Sequence, residues 1–260
     1  MEATARVDSR RRKPSVDGGQ RRCIRCVSTF EREARERGFS RIAGIDEVGR
    51  GCLFGPVFAA AVVTDPARPI RGLRDSKTIV QEEREALAEE IKARCISWAV
   101  GGADVFEIDQ INIYQASRLA MRRAVEALTV QPDYLLIDAL RLDLPIEQLP
   151  LIDGDARCRA IAAASILAKV HRDTVLARWH EVFPQYNLAA NKGYATPDHR
   201  RALRQYGPTL MHRFSFEPVR LASSNVHWSG YITEGPAQES LFGSSDEAEA
   251  EECAQNGLAI

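Results

Sequence analysis

The sequence predicts an α/β domain with a mixed central sheet flanked by helices. An apolar run that begins at Ile42 ends in two adjacent carboxylates, and a second apolar run follows Gly55 and Pro56 and reaches Val63. This pattern is typical of a strand, a turn and a second strand. Further along, strands and helices alternate. Strands first, followed by such alternation, indicate an α/β domain with a mixed sheet.

The remaining elements follow from hydrophobic periodicity. In chain order they are a helix at 27–38, the two hairpin strands, a surface helix at 81–92, a strand at 95–100, a helix at 111–128, a strand at 133–138, a buried helix from 159 that ends at 179–183, and a helix at 197–206. We expect Ser76 or Thr78 to cap the surface helix. Asn112 either caps the next helix or contacts a nucleic-acid backbone, and the sequence leaves both interpretations open.

Charge divides the chain into three parts. Residues 1–26 carry a net charge of +5 and lack apolar periodicity, so we expect a disordered extension that is either merely solvated or in contact with nucleic acid. Residues 223–260 are acidic, with seven acids and no base from 234 onward, and we expect a second disordered tail. The folded domain is predicted at 27–222, where the apolar residues suffice for a sizeable core.

Several absences in the sequence indicate a cytoplasmic protein, and we expect it to be a monomer. The longest apolar run, 52–63, is too short to span a bilayer, and the N-terminal stretch has no signal-peptide core. The chain has six cysteines, which we expect to be reduced. Cys23 and Cys26 form a C-x-x-C pair, but no second pair at zinc spacing follows, so a metal knuckle or a redox pair is only a minor alternative.

Four acids lie at the ends of predicted elements. Asp46 and Glu47 end the first apolar run, Asp138 ends another, and Asp155 follows 17 residues later, near the start of the buried helix. The first pair could simply close a turn, and Asp155 could simply stabilise a helix N-terminus. Together, however, they offer the hard oxygen ligands that Mg²⁺ or Mn²⁺ prefers.

Two glycines flank the arginine that follows the acid pair. Gly49 and Gly51 leave main-chain N–H groups open to a ligand, and Arg50 can fork onto a phosphate. The alternative is an exposed arginine in an ordinary turn.

These motifs occur in an order that resembles the ribonuclease HII family, the type 2 ribonucleases H. The matching segments are G-I-D-E-V-G-R-G at 44–51 with G-P-V at 55–57, D-S-K at 75–77, L-L-I-D at 135–138, G-D-A at 154–156 with the helix behind it, N-K-G-Y-A-T at 191–196, and H-R-F-S-F at 212–216. The resemblance implies a ribonuclease H-like fold with a small C-terminal helical part. It covers roughly residues 40–221 and departs at Cys52, where the family usually has proline, so we expect altered turn stiffness there.

The resemblance also implies an activity. A metal-dependent endoribonuclease of this family would hydrolyse the RNA strand of RNA–DNA hybrids and cut 5′ to single ribonucleotides in duplex DNA. We expect Asp46 and Asp138 to be central ligands of two metal ions, Glu47 to bind one ion, and Asp155 to be a fourth ligand or to position water. The products would carry a 5′-phosphate and a 3′-hydroxyl. Rival hypotheses are a junction resolvase, a type 3 ribonuclease H, and a nucleic-acid-binding protein whose acids are structural.

Further residues are assigned to substrate binding. In the family the tyrosine that matches Tyr194 packs on the sugar beside the cleavage junction, although a tyrosine there could also plug a helix against the sheet. With Lys192 it would form an aromatic and cationic platform for the nucleic-acid backbone. Lys77, in the loop before a helix, is expected to contact a phosphate. His212 and Arg213 are expected to be mainly structural, with contact to a phosphate as the alternative.

The acidic tail contains a pattern that resembles the ligands of bacterial sliding clamps. Gln238, Leu241 and Phe242 fit Q-x-x-L-F, in which an apolar pair would enter a groove on the clamp. This apolar pair stands alone in a segment that is too polar to fold. Clamp binding and an uninvolved tail both remain open.

Overall fold

The structure is a computed structural model, and it describes residues 26–223. Cys23 and the Q-x-x-L-F pattern lie outside the described residues, and the predicted division at 26 and 222 stays a prediction. Within 26–223, no helix is both long enough and apolar enough to cross a membrane.

A five-stranded mixed sheet forms the centre of the protein, as predicted. Its strands are β1 (Ile42–Val48), β2 (Val57–Val63), β3 (Ser97–Ala103), β4 (Tyr134–Asp138) and β5 (Glu147–Leu151). The order across the sheet is β3-β2-β1-β4-β5. β2 pairs antiparallel with β1 and β3, whereas β4 pairs parallel with β1 and β5. Because β1 and β4 are parallel neighbours, their C-terminal ends lie side by side.

Helices cover both faces of the sheet. The α-helices are α1 (Thr29–Glu36), α2 (Gln81–Arg94), α3 (Val105–Glu126), α4 (Gly154–Arg157), α5 (Arg159–Val182), α6 (Leu188–Asn191), α7 (Pro197–Tyr206) and α8 (Glu217–Ser223), and short 3-10 helices lie at Ser76–Thr78 and Pro184–Tyr186. Alternation along β2 sends Ala59 and Ala61 into the cluster with α3 and sends Ala60 and Val62 into the cluster with α2 and α5. Helices α7 and α8 pack against the C-terminal half of α5 and form the predicted small C-terminal helical part.

Helix α5 lies directly on β1. A Cβ atom added at Gly44 would lie 2.0 Å from the carbonyl carbon of Ala160, a distance no side chain tolerates. Only glycine permits this approach. Because the helix is held so close, its polar residues reach the carboxyl end of the strand, where the acids are.

The two capping predictions have different outcomes. Helix α2 has Val80 at its N-cap and no side-chain cap, so the prediction for Ser76 and Thr78 is wrong. Both residues lie instead in the 3-10 helix, where Ser76 faces α5. Asn112 does act as a cap: α3 is broken there at φ 67°, and its Oδ1 accepts from two following N–H groups at 3.0 and 3.1 Å.

Some boundaries differ from the sequence prediction. β3 begins at Ser97, two residues later than expected, and α3 begins at Val105, ahead of the predicted 111. The earlier start is stabilised by a capping box between Asp104 and Glu107. Strand β5 was not predicted at all, because Glu147–Leu151 is half-exposed at a sheet edge and contains a proline.

Candidate active site

Strand register brings three of the predicted acids together. Ile45 of β1 pairs with Ile137 of β4, so the residues that follow, Asp46 and Asp138, lie side by side at the carboxyl end of the sheet. Glu47 joins them because β1 ends one residue later. Among the described residues, one carboxylate oxygen from each of these three acids lies within 4.8 Å of the other two.

The fourth acid approaches from the short helix that follows β5. Asp155 is buried at the start of α4 and forms an ion pair with Lys77, whose Nζ lies 3.1 Å from Oδ2. The preceding residue, Gly154, donates its N–H to Asp138 Oδ1 at 2.7 Å. α4 thus orients one acid of the trio and contributes another to the same cleft.

A cleft of about 170 Å³ contains all four acids. Its lining consists of Asp46, Glu47, Val48, Ser76, Lys77, Asp138, Asp155, Ser165, Lys169 and Tyr194. Larger cavities occur elsewhere in the described chain, but this one concentrates the ionisable groups. Its volume suits small ions and a phosphate group better than a bulky organic ligand.

Burial and crowding disfavour negative charge in this cleft. Burial, followed by the charges of Glu47 and Asp138, raises the pKa of Asp46 well above its usual range. Burial also raises the pKa of Glu47, opposed by Arg50, and that of Asp138, opposed by the Gly154 N–H. Without a compensating cation, the trio holds protons that isolated carboxylates would release.

The donor set fits a hard divalent cation. All the clustered ligand atoms are carboxylate oxygens, as Mg²⁺ and Mn²⁺ prefer. Glu47 Oε2 is buried and has no hydrogen-bond partner among residues 26–223, an arrangement that costs free energy unless a ligand satisfies it. A cation at this position would satisfy that oxygen and relieve the carboxylate repulsion together.

One stripe of α5 supplies site residues that sequence reasoning missed. The Ser165 hydroxyl donates to the Asp46 carboxylate and lies 2.9 Å from Ser76 Oγ. Lys169 lines the cleft and contacts Asp173 at 2.7 Å. With Arg172 they form an i, i+4, i+7 series that begins within the apolar first half of the helix. That polar stripe was the signal available in the sequence.

The glycine-flanked loop lies beside the acid trio. Gly49 has φ +93°, a conformation that favours glycine. Gly51 is exposed, as predicted, but Gly49 is buried and its carbonyl accepts from the Cys52 N–H, so the prediction that Gly49 is open to a ligand is wrong. Arg50 was predicted to fork onto a phosphate; here its Nη1 lies 3.1 Å from Glu47 Oε1, and its side chain is 41% exposed. The arginine therefore reaches the cleft and is still open to solvent.

Tyr194 lies between the loop and the cleft. Its ring lines the cleft and is 42% exposed, so it does not serve as a buried plug. A Cβ atom on Gly51 would lie 4.0 Å from Tyr194 Cε1, and Cys52 forms a backbone bridge with Tyr194. Lys192, half-buried at φ 51°, lies next to the cleft rather than in its lining.

The residues expected to be structural are buried. His212 hydrogen-bonds to His199 between ring nitrogens 3.2 Å apart, and burial lowers its pKa to about 3, so it stays neutral. Arg213 donates to the carbonyls of Gly55 and Arg50, both at 2.9 Å. Arg213 therefore holds the loop that contains Arg50 from beneath.

Comparisons with known proteins give the family that the chain resembles. The family model for ribonuclease HII matches residues 43–219. A ribonuclease HII of Solibacter usitatus is 56% identical over 211 residues, covering 81% of this chain and 91% of that protein. One of Moorella thermoacetica is 50% identical over 203 residues, covering 78% and 98%.

Solved structures share the fold. The ribonuclease H2 of Pyrococcus horikoshii superimposes with a TM-score of 0.62 at 23% identity, covering 71% of this chain and 98% of that one. The PCNA:RNase HII complex from Archaeoglobus fulgidus gives a TM-score of 0.59 at 26% identity, covering 68% and 96%.

Removing one charge from the trio should stabilise the metal-free protein. Because the native pKa of Asp46 is raised, the native state loses stability as the pH rises above the ordinary value near 3.9, and the loss is complete once the pH exceeds the native pKa. We expect Asp46→Asn in EDTA at pH 8 to gain about 1 kcal/mol, which raises Tm by about 2–4 °C, and to lose this gain near pH 4. Thermal unfolding measures both.

Asp143→Asn provides the matched control, since Asp143 is exposed and outside the cleft. Its Tm should follow that of the unsubstituted chain at both pH values. An Asp46→Asn variant that melts at or below the unsubstituted chain at pH 8 would contradict the crowding described above.

Proposed function

The chain belongs to the ribonuclease HII family, and we propose that it also cuts duplex DNA on the 5′ side of a single embedded ribonucleotide, with Mn²⁺ or Mg²⁺ as cofactor. As a member of the family it is an endoribonuclease that acts on RNA–DNA hybrids. The observation that carries the proposal is the partly buried carboxylate trio beside the exposed Gly51 and an exposed tyrosine.

Asp46, Glu47, Asp138 and Asp155 would hold the metal ions. When bound, such ions supply Lewis-acid activation of a water and stabilisation of the departing oxygen. The protein's part is to fix the carboxylates: Gly154 orients Asp138 through its N–H, and Ser165 orients Asp46.

Two lysines complement the phosphate charge. Lys77 has a largely exposed side chain whose Nζ reaches Asp155, so it can shift onto an arriving phosphate without leaving the cleft. Lys169 approaches from α5, held by Asp173. An ammonium group acts as a point charge and does not form the bidentate hydrogen bonds of a guanidinium. It therefore suits a phosphate that must bind and then leave.

Specificity would come from the loop and the ring. Gly51 is exposed, so its main-chain groups can both donate to and accept from a 2′-hydroxyl, while Arg50 reaches the neighbouring phosphate. Gly49 is buried, and its carbonyl accepts from the Cys52 N–H at 3.3 Å, so it shapes the turn that presents Arg50 and Gly51. Tyr194 offers its exposed face to the adjacent sugar, and Lys192 adds positive charge along the backbone. One ribonucleotide between deoxyribonucleotides satisfies all these contacts at a single position in the duplex.

The reaction balances as a hydrolysis. Water attacks the phosphorus on the 5′ side of the ribonucleotide, and the P–O3′ bond breaks. The upstream DNA keeps a 3′-hydroxyl after gaining a proton, and the ribonucleotide keeps the 5′-phosphate. This product is an entry point for removal of the ribonucleotide from DNA.

A sliding clamp is the proposed protein partner. The supporting sequence is Gln238, Leu241 and Phe242, which lie outside the described residues. The A. fulgidus relative was solved as a PCNA:RNase HII complex, which supports a partner of this class. Binding through a short tail would deliver the enzyme to duplex DNA without occupying the cleft.

Cleavage of a labelled duplex with one ribonucleotide tests the proposed activity. We expect a cut 5′ to the ribonucleotide with Mn²⁺ or Mg²⁺, none with EDTA, and none in an all-DNA duplex. Asp46→Asn should lower the rate by at least about 100-fold, because it removes a central carboxylate. The exposed Asp143→Asn should retain activity. Cleavage of the RNA–DNA hybrid but not of this duplex would refute the ribonucleotide-specific proposal.

Size-exclusion co-elution with a bacterial sliding clamp tests the partner. The complete chain should co-elute, and the double variant Leu241→Ala, Phe242→Ala should not, because the apolar pair is lost. Leu258→Ala, in the same acidic tail, is the control and should still co-elute. Co-elution of the double variant would exclude this segment as the docking peptide.

A further inference from the structure

Arg172 is a completely buried cation that does not contact the acid trio. It lies on α5 and has no exposed surface. Its Nη1 donates to the Lys192 carbonyl at 2.9 Å, while Nε and Nη2 have no hydrogen-bond partner among residues 26–223. A buried guanidinium with two unsatisfied donors is costly. Its position therefore needs an explanation other than stability.

The guanidinium separates the two loops assigned to substrate recognition. A Cβ atom at Gly49 would lie 2.4 Å from Nε, and one at Gly193 would lie 3.3 Å from Nη2. Both glycines have positive φ, so each backbone turns directly over the arginine. The guanidinium carbon also lies 5.9 Å from the centroid of the Tyr194 ring.

The two loops are fastened to each other at this point. Leu53 donates its N–H to the Gly193 carbonyl at 2.8 Å, and Cys52 bridges to Tyr194. With these contacts fixed, the size of the Arg172 side chain determines the distance between the Gly49–Gly51 loop and the Tyr194 ring. Shortening or removing that side chain would let the two move together or apart.

We propose that Arg172 is a positioning residue that holds the Gly49–Gly51 loop and Tyr194 at the separation matching one ribonucleotide and its neighbouring sugar. The proposal rests on the proposed function, in which the loop reads the 2′-hydroxyl and the ring packs on the adjacent sugar. A single ribonucleotide can satisfy both contacts in only one register. A hybrid presents a 2′-hydroxyl at every step, so it depends less on the exact separation.

The test compares kcat and KM on two substrates of the same sequence, a DNA duplex with one ribonucleotide and an RNA–DNA hybrid. Arg172→Met should lower the ratio of kcat/KM for the duplex to that for the hybrid by about 10-fold or more, mainly through a higher KM for the duplex. Arg172→Lys keeps the charge and one bond to Lys192, so its loss should be smaller. Arg178→Met, exposed on the same helix, is the control and should leave the ratio unchanged.

Each outcome has a defined meaning. If Arg172→Met shows no cooperative thermal unfolding, it is not folded and cannot be compared. The ratio of kcat/KM for the duplex to that for the hybrid is then judged on Arg172→Lys. An unchanged ratio in a folded variant, or an equal loss on both substrates, overturns the positioning role. If the unsubstituted chain cuts the hybrid but not the duplex, the proposed function fails, and the role of Arg172 fails with it. If the unsubstituted chain cuts both, only the role of Arg172 is at stake.

Discussion

Repulsion among buried carboxylates is the constraint around which the rest of this structure is arranged. Three acids converge because two parallel strands end side by side, and burial raises the pKa of each of them. The fold keeps them together through rigid neighbours: α5 packs on β1 across Gly44, and α4 donates a backbone N–H to Asp138. These carboxylates would hold a divalent cation, whose charge would offset their repulsion, at the expense of the stability of the metal-free chain.

Two buried arginines lie against the loops that we propose for substrate recognition. Arg213 bonds to the carbonyls of Gly55 and Arg50, and Arg172 separates the glycine loop from the Tyr194 loop. Arg213 contacts the glycine loop through the Arg50 carbonyl, and Arg172 contacts it at Gly49. The acid cluster and the reading loops are thus supported from the same side, by α5 and the chain that follows α7.

Local sequence patterns explain which elements and site residues could be predicted. Contacts between residues far apart in the sequence explain which could not. The hairpin, the Asp138 strand and the long helix have strong periodicity, and the motif order led to the four acids, Lys77 and Tyr194, which the structure brings to one cleft. Ser165, Lys169 and Arg172 were missed because they look like ordinary polar interruptions of a helix until its contact with β1 is known. Ser76 was misassigned as a cap because its partner is 89 residues away.

Calorimetric titration of Mn²⁺ into the metal-free full chain tests most directly whether the acid cluster is a cation site. The unsubstituted chain and the exposed-site variant Asp143→Asn should bind with the same affinity, while Asp138→Asn should bind at least about 10-fold more weakly. Equal Mn²⁺ affinity in all three proteins would contradict the account, because the cation would then be held somewhere other than between these strands.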